Sequence, residues 1–249
     1  MQIFRADIRY VLRTLRKQPG LAIIAILTLA LGIGANTAVF SVLNSVVLAP
    51  LPYDEPENLV RLYTATRQDP LNSAGYSTGP DLVEMRDQVG AFSSIGMMYT
   101  YREVGLDLTT DGPPQRIRAL RINAEYFQTY RATPQIGRVF TREEERNDVW
   151  RVVLSHSLWE AYAGRDPNIV GKTVELSGVA YEVIGVMRRS FADVVAGEID
   201  AWIPQHLEVG TGGNNRGNHY LSAVARLSAG TLVAEAQAQV DAVMNRIAS

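Results

Sequence analysis

The sequence predicts an α+β fold, in which one N-terminal transmembrane helix precedes a two-subdomain globular α+β domain. Three observations predict it: a long charge-free apolar run, basic residues concentrated before that run, and alternating strand and helix patterns after it. The chain has 249 residues, of which 47% are hydrophobic and 20% charged. This composition provides enough apolar residues for one or two cores and argues against a disordered polymer.

The apolar run has the length of a membrane-spanning helix. No Asp, Glu, Lys or Arg occurs from Gln18 to Tyr53. As a helix, residues 21–43 would extend roughly 34 Å, which is enough to cross the hydrocarbon core of a bilayer. A cleaved signal peptide would have a shorter apolar core, and a buried soluble helix would not require so long a charge-free run. We therefore predict a transmembrane helix over residues 21–47.

The charges around this run predict its orientation. Residues 1–17 carry five basic side chains and one acid, giving +4, while the other residues carry 19 basic and 25 acidic groups, giving −6 and a total of −2. Basic residues stay on the cytoplasmic side, so we expect the N-terminus inside and the main domain outside, in the periplasm of a bacterium with an inner membrane.

The first 17 residues also have an amphipathic pattern. Apolar residues recur at helical spacing beside a basic stripe, which predicts an interfacial helix on the inner leaflet; a topology signal alone is a compatible reading. The predicted inner-leaflet contacts are Arg5, Arg9, Arg13, Arg16 and Lys17.

One face of the predicted membrane helix is lined by small residues. Residues 30, 34 and 38 are small and recur every four positions, a spacing typical of helix association in lipid. Asn36 is costly against lipid, so it should face protein. We predict a contact with further transmembrane helices or permease copies through Ala30, Gly32, Gly34, Asn36 and Ala38.

Short strand and helix patterns alternate after the membrane segment. Strands are predicted at residues 59–64, 95–101, 116–122, 151–154, 173–176, 181–187 and 220–227, and residues 202–204 would end the second block of elements. Helices are predicted near residues 125–130, 141–146, 157–163 and 231–248, and after Thr78. That last helix would begin with Thr78 as cap, Pro80 in its first turn and Asp81 at its third position. Its apolar stripe would be Leu82, Met85, Val89 and Phe92.

No residue pattern predicts catalysis, a metal site or a cofactor. Gly171-Lys172-Thr173 does not fit a phosphate loop, because Asp166 stands where the first glycine is needed and a strand pattern follows. Ser155-His156-Ser157 fits a strand-to-helix junction with a capping serine better than a catalytic pair, and the three glutamates at 143–145 fit helix N-terminal charge. The three histidines lie far apart in sequence, at His156, His206 and His219.

Other classes of site are also disfavoured. The chain has no cysteine, which excludes disulfides, thiolate nucleophiles and cysteine metal clusters. No basic and aromatic patch indicates nucleic-acid binding. The glycine- and asparagine-rich segment 210–218 is either a partner-binding tip or a mobile connector.

Several segments resemble a known family. TLALGIGANTAVFSVLNSVVLAPLPY at 28–53 resembles the first transmembrane helix of MacB/FtsX-type ABC transporter permeases, and is most similar to their duplicated, ATPase-less relatives of the acidobacterial type. The segments at 123–145, 166–187 and 225–248 agree, so the resemblance covers nearly the whole chain. The sequence departs from the family at Tyr130-Arg131-Ala132, where a Leu-Gly-Val-like turn is usual, which puts the geometry of that turn in doubt.

The resemblance implies a MacB-like periplasmic core domain. A discontinuous porter-like subdomain would cover residues 55–122 and 206–249, and an inserted sabre-like subdomain would cover 123–205. The family has three further transmembrane helices after this domain, so the resemblance also implies a fragment or truncated form of a longer permease.

The function implied by this resemblance is non-catalytic. The chain would be the permease component of an ABC-type export or mechanotransmission system, in which a separate cytoplasmic ATPase subunit drives periplasmic domain movement, with a possible periplasmic partner protein. A membrane-anchored periplasmic sensing or binding module is the alternative, and an anchored periplasmic enzyme is a third reading.

Overall fold

The computed structural model describes residues 19–43, 51–64, 75–99, 104–109, 113–146, 149–205 and 215–247. The chain divides into two compact units, Met1–Pro50 and Leu51–Ser249. In the first unit, helix α1 spans Pro19–Leu43 and has 25 residues. Within the described ranges, we find no helix that combines the length and the apolar character needed for a membrane span.

Helix α1 confirms the prediction that residues 21–43 are helical. The prediction that residues 21–47 cross a membrane is not shown by the structure. Large apolar side chains are exposed on this helix, including Ile24, Leu31 and Phe40. The predicted inner-leaflet helix of residues 1–17 lies outside the described residues.

The second unit combines ten strands and five further α-helices among its described residues. The strands are β1 Leu59–Leu62, β2 Phe92–Tyr99, β3 Val104–Leu108, β4 Gln115–Ile122, β5 Pro134–Gly137, β6 Arg151–Leu154, β7 Thr173–Leu176, β8 Val179–Met187, β9 Ala201–Pro204 and β10 Leu221–Leu227. The helices are α2 Gly79–Gln88, α3 Tyr126–Thr129, α4 Arg142–Arg146, α5 His156–Ala163 and α6 Val233–Ile247. A 3₁₀ helix, Pro56–Asn58, precedes β1.

Six of the strands form a closed ring. The pairing order β4-β3-β7-β8-β6-β9 returns to its start because β9 also pairs in parallel with β4. Closing a sheet in this way removes the exposed strand edges that a flat sheet would present. The interior of the ring is filled by apolar side chains such as Ile117, Val152, Leu176 and Val183. Strand β5 adds to β8 outside this ring.

Strands β1, β10 and β2 extend the sheet beyond the ring in the order β1-β10-β2-β4. Alternate residues of a strand point to opposite faces. Met97 and Ala223 accordingly pack with helices α2 and α6 on one face, whereas Met98 and Val224 pack with α3 on the other. Helix α3 therefore lies against the face of the sheet opposite to the one that packs with α2 and α6.

Asn123 fixes the start of α3 relative to β2. Its side chain is fully buried, and its Oδ1 accepts from the Met97 backbone nitrogen at 2.8 Å. Its Nδ2 donates to the Ile95 carbonyl at 2.8 Å. The side chain thus replaces a strand partner for β2 at the point where β4 ends, which satisfies two buried backbone groups.

Most of the predicted elements are confirmed, and two helix starts have the predicted caps. The Thr78 hydroxyl accepts from the Asp81 backbone nitrogen, and the Ser155 hydroxyl accepts from that of Leu158. The helical stripe was wrong at Phe92, which begins β2, because the helix ends at Gln88. Strands β3, β5 and β9 were not predicted from the sequence.

The ring includes strands from both sides of residue 123. Strands β3 and β4 precede this residue, and they pair with β7 and β9, which follow it. The division into porter-like residues 55–122 and 206–249 and sabre-like residues 123–205 stays a prediction.

Candidate functional site at the junction segment

Residues 51–58, the junction segment, are the first described residues of the globular unit. They follow the first unit directly in sequence, so they connect it covalently to the sheet. Three side chains from elsewhere in the globular unit hold this segment in place: Arg226 on β10, Arg131 after α3, and Tyr130 at the end of α3.

We call Arg226, Arg131 and Tyr130, together with Tyr53 on the segment itself, the clamp. Arg226 is its central residue. It lies in β10 and is only 4% exposed, although its strand is otherwise apolar apart from Ser222. Its guanidinium donates to three backbone carbonyls: Thr129 at 2.7 Å, Asp54 at 2.9 Å and Glu55 at 3.1 Å. Burial lowers the pKa of Arg226. A buried guanidinium needs such acceptors, so the side chain ties β10, α3 and the junction segment together.

Arg131 adds a second, exposed connection. Its Nη1 lies 2.8 Å from Asp54 Oδ2 and 2.8 Å from Glu55 Oε1. The hydrogen bond from Arg131 lowers the pKa of Glu55, and the same bond raises the pKa of Arg131. Arg131 adopts a φ of 53°, the left-handed conformation that glycine adopts most readily. At the sequence departure noted for Tyr130-Arg131-Ala132, the chain therefore has a left-handed residue that contributes a cation.

Tyr53 makes the third connection. Its hydroxyl donates to the Ala192 carbonyl at 2.8 Å and accepts from the Val194 backbone nitrogen at 2.9 Å. Its ring lies 4.7 Å from the Tyr130 ring between centroids. Burial raises the pKa of Tyr53 to about 12, so the phenol stays neutral and keeps its proton to donate.

The loop that receives Tyr53 comprises residues 191–197, and we call it the latch loop. Asp193 organises it: Oδ1 accepts from the backbone nitrogens of Val195 at 3.1 Å and Ala196 at 2.8 Å. Its Oδ2 accepts from the Tyr126 hydroxyl. The Gly197 nitrogen closes the loop onto the Asp193 carbonyl at 2.7 Å. Asp193 is 5% exposed, and burial raises the pKa of its carboxyl.

Aromatic rings fill the space between the junction segment, α3 and the latch loop. Phe191 contacts several of them, with centroid distances of 5.7 Å to Phe127 and 5.7 Å to Trp202. Tyr126 and Tyr130 lie 5.1 Å apart in an edge-to-face arrangement. Such pairs add stability beyond the burial of their apolar area, so the junction segment rests on a packed base.

A cavity of about 610 Å³ lies beside the latch loop. Its walls include Arg118 from β4, His156 from α5, and Phe191 and Trp202 from the aromatic base. Arg118 is paired with Glu198 at 2.9 Å, and the His156 Nδ1 lies 3.1 Å from Gln135 Oε1. Arg118 and His156 therefore already have partners within the protein, and the cavity has the volume of a small-molecule binding pocket.

The predicted helix-packing residues all lie on α1 and are exposed. They are Ala30, Gly32, Gly34, Asn36 and Ala38. A Cβ atom built on Gly32 or Gly34 meets no atom within 4 Å, so both glycines leave open space beside the helix. The predicted inner-leaflet residues Arg5, Arg9, Arg13, Arg16 and Lys17 lie outside the described residues, as does His206. No metal-ligating cluster of three or more His, Asp or Glu occurs within the described ranges.

The clamp residues were not predicted from the sequence. Arg226 had a detectable signal, since it is the one charge within the apolar strand pattern at 220–227. Tyr53 and Asp193 had no comparable signal, because each lies in an irregular segment and each has a side-chain bond to a residue more than 60 positions away.

The sequence matches the MacB-like periplasmic core domain family over residues 22–243. The chain belongs to this family. The resemblance to MacB/FtsX-type ABC transporter permeases is thereby confirmed, and the chain is a component of the ABC permease type with a domain outside the membrane. A comparison with curated proteins finds no match.

Solved structures share the fold of this MacB-like domain at low identity. The extracellular domain of the noncanonic ABC-type transporter YknZ from Gram-positive bacteria has a TM-score of 0.56 at 17% identity, covering 77% of this chain and 95% of that one. The periplasmic region of MacB from Actinobacillus actinomycetemcomitans has a TM-score of 0.57 at 18% identity, covering 79% and 86%. A domain of a permease protein from Porphyromonas gingivalis gives 0.59 at 15% identity, covering 78% and 86%.

Proposed function

We propose that this chain is the non-catalytic permease component of an ABC-type export or mechanotransmission system. A separate cytoplasmic ATPase hydrolyses ATP, and membrane helices pass the resulting movement to the periplasmic domain. Membership of the MacB-like family supports the permease assignment. The single observation that supports mechanical coupling is the clamp on the junction segment. Within it, one side chain, that of Arg226 on β10, bonds to both the junction segment and α3.

The proposal places helix α1 in the inner membrane, with the N-terminus in the cytoplasm. A helix of 25 residues extends roughly 37 Å, and the sequence from Gln18 to Tyr53 contains no charged side chain. The exposed face at Ala30, Gly34 and Ala38 would contact further transmembrane helices or permease copies, since small residues allow close approach in lipid.

The clamp gives this arrangement a mechanical consequence. A displacement of the first unit can reach the globular unit through the junction segment, because the chain is covalently continuous from one unit to the other at this point in the sequence. A segment held by a buried guanidinium, an exposed ion pair and a stacked tyrosine moves with its base rather than independently of it. The porter-like and sabre-like parts would then move with the membrane helix, toward a possible periplasmic partner.

Capture from native membranes tests this function. Full-length chain purified from membranes of its source organism is expected to bring an ABC-type ATPase subunit with it, and the isolated chain is expected to show no ATP turnover. Gly34→Leu should lose that partner, since the larger side chain blocks helix approach, while Thr28→Leu, about 120° around the helix from Gly34, should retain it. ATP turnover by the isolated chain, or equal capture by both variants, would contradict the proposal.

A second candidate function is a membrane-anchored sensing or binding module without transport. The cavity of about 610 Å³ beside the latch loop is the observation that favours it. Purification without any ATPase, together with a small molecule or peptide retained by the chain, would favour this second function.

A further inference from the structure

We propose that the latch loop is a proton-sensitive fastening for the junction segment, closed when Asp193 is neutral and loosened when Asp193 is ionised. The two backbone groups that hold the Tyr53 hydroxyl belong to Ala192 and Val194, the residues on either side of Asp193. Whatever moves the Asp193 side chain therefore moves both partners of Tyr53 at once.

The surroundings of Asp193 provide hydrogen bonds but no counter-charge. None of the ion pairs among the described residues includes Asp193, and its acceptors are filled by two backbone nitrogens and the Tyr126 hydroxyl. The cations at the neighbouring cavity have other partners: Arg118 pairs with Glu198 and Asp200, and Arg189 pairs with Glu160. Arg188 Nε donates to the Thr133 hydroxyl. A buried carboxylate without a cation is costly, and this cost disappears on protonation.

The titratable groups around Asp193 come from four elements besides its own loop. The junction segment contributes Tyr53, helix α3 contributes Tyr126 and Tyr130, strand β4 contributes Arg118, and helix α5 contributes His156. The chain that flanks the latch loop contributes Arg188, Arg189, Glu198 and Asp200. Burial raises the pKa of all three tyrosines, so they stay neutral throughout the range in which Asp193 titrates.

Protonation can be accommodated without breaking the loop. A proton on Oδ2 would turn the carboxyl into a donor to the Tyr126 oxygen, and the Tyr126 hydroxyl would then need another acceptor. The buried Tyr130 hydroxyl is the neighbouring acceptor, since its ring lies 5.1 Å from that of Tyr126 between centroids. The hydrogen bond can therefore reverse while both backbone bonds to Oδ1 remain.

The direction of the pH effect follows from the burial of the Asp193 carboxyl without a cation beside it, and the raised pKa of this carboxyl agrees with that direction. The carboxyl titrates above its ordinary value of 3.8 in the closed loop and near that value in an open, hydrated loop. The closed loop thus binds the proton more tightly, and it loses stability as the pH rises from 3.8 through the raised pKa. Each unit of difference in pKa between the two states increases the open population about tenfold above this window.

Hydrogen exchange at the Val194 amide measures this opening, because that amide donates to Tyr53. The full chain is compared with Asp193→Asn, whose amide cannot ionise, from pH 4 to pH 8. We expect the ratio of wild-type to Asp193→Asn exchange rates to rise with pH from about pH 4, by about tenfold in total per unit of pKa difference, and to level off above the raised pKa. A ratio independent of pH would overturn the proposal.

A matched variant distinguishes Asp193 from His156, which also lines the cavity. His156→Gln should leave the pH dependence of Val194 exchange unchanged, since His156 bonds to Gln135 rather than to the latch loop. Loss of the pH dependence in His156→Gln would assign the effect to His156 and overturn the proposal. The exchange measurement needs no ATPase, so its failure is distinguishable from failure of the proposed function.

Discussion

Replacing Arg226 by Met is expected to lower the free energy of unfolding of the globular unit by about 3 kcal/mol, since hydrogen bonds from a charged donor contribute about 1.5–3 kcal/mol each and water can replace some of them. Methionine fills most of the space without leaving a charge behind. The buried Thr129 carbonyl loses its guanidinium donor, and the junction segment loses both of its bonds to β10.

Denaturant unfolding of the full chain, followed by tryptophan fluorescence, checks this expectation. The chain has three tryptophans, Trp150, Trp159 and Trp202, and all belong to the globular unit, so the signal reports that unit alone. Arg131→Met is the matched control, because it makes the same substitution in a side chain that holds the same segment from the surface. Wild-type stability of Arg226→Met, or an equal loss in both variants, would contradict the central place of Arg226 in the clamp.

Replacing Gly137 by Ala is expected to destabilise the globular unit by about 3 kcal/mol, which combines a left-handed backbone with overpacking. Gly137 has a φ of 71°, and a Cβ atom there would lie 2.2 Å from the Ile184 carbonyl oxygen. It stands opposite Gly185 in the β5–β8 pair, where a Cβ would meet the Arg138 carbonyl at 2.2 Å. Backbone atoms on both sides leave no flexible side chain to move aside.

Gly178→Ala separates the effect of the left-handed backbone from the effect of overpacking. Gly178 has a similar φ of 80°, but a Cβ there meets no atom within 4 Å. The expected loss is therefore about 1 kcal/mol from the backbone conformation alone. The same fluorescence-detected unfolding measures both variants. Equal losses in the free energy of unfolding at Gly137 and Gly178 would contradict the claim that β5 and β8 leave no room for a Cβ atom at Gly137.

Local patterns predicted most of the fold. The alternation of β7 and β8 about Ser177-Gly178, the cap at Thr78 and the period of α6 all depend on neighbouring residues, so a single sequence contains the information. The ring could not be predicted, because it depends on β9 pairing with β4 about 80 residues earlier. Strand β5 is four residues long and includes a proline and a glycine, which resemble turn residues more than strand residues.

The candidate site was harder to predict for the same reason. Tyr53 bonds to residues 139 and 141 positions later, and Arg226 bonds to carbonyls 171 and 172 positions earlier. The acceptors of Arg226 are backbone carbonyls, which every residue has, so no residue type in the sequence indicates them. A lone arginine in an apolar strand was the available sign, because burial of its guanidinium requires acceptors.

Single-cysteine labelling in intact cells tests the account most directly, because the natural chain has no cysteine. Ser177→Cys lies in the hairpin turn between β7 and β8, and Arg9→Cys lies in the basic N-terminal segment. A membrane-impermeant maleimide should label position 177 in cells whose outer membrane is permeable to it, and should label position 9 only after the inner membrane is disrupted. Labelling of position 9 in intact cells, or recovery of the full chain in the aqueous fraction, would contradict a permease anchored in the inner membrane.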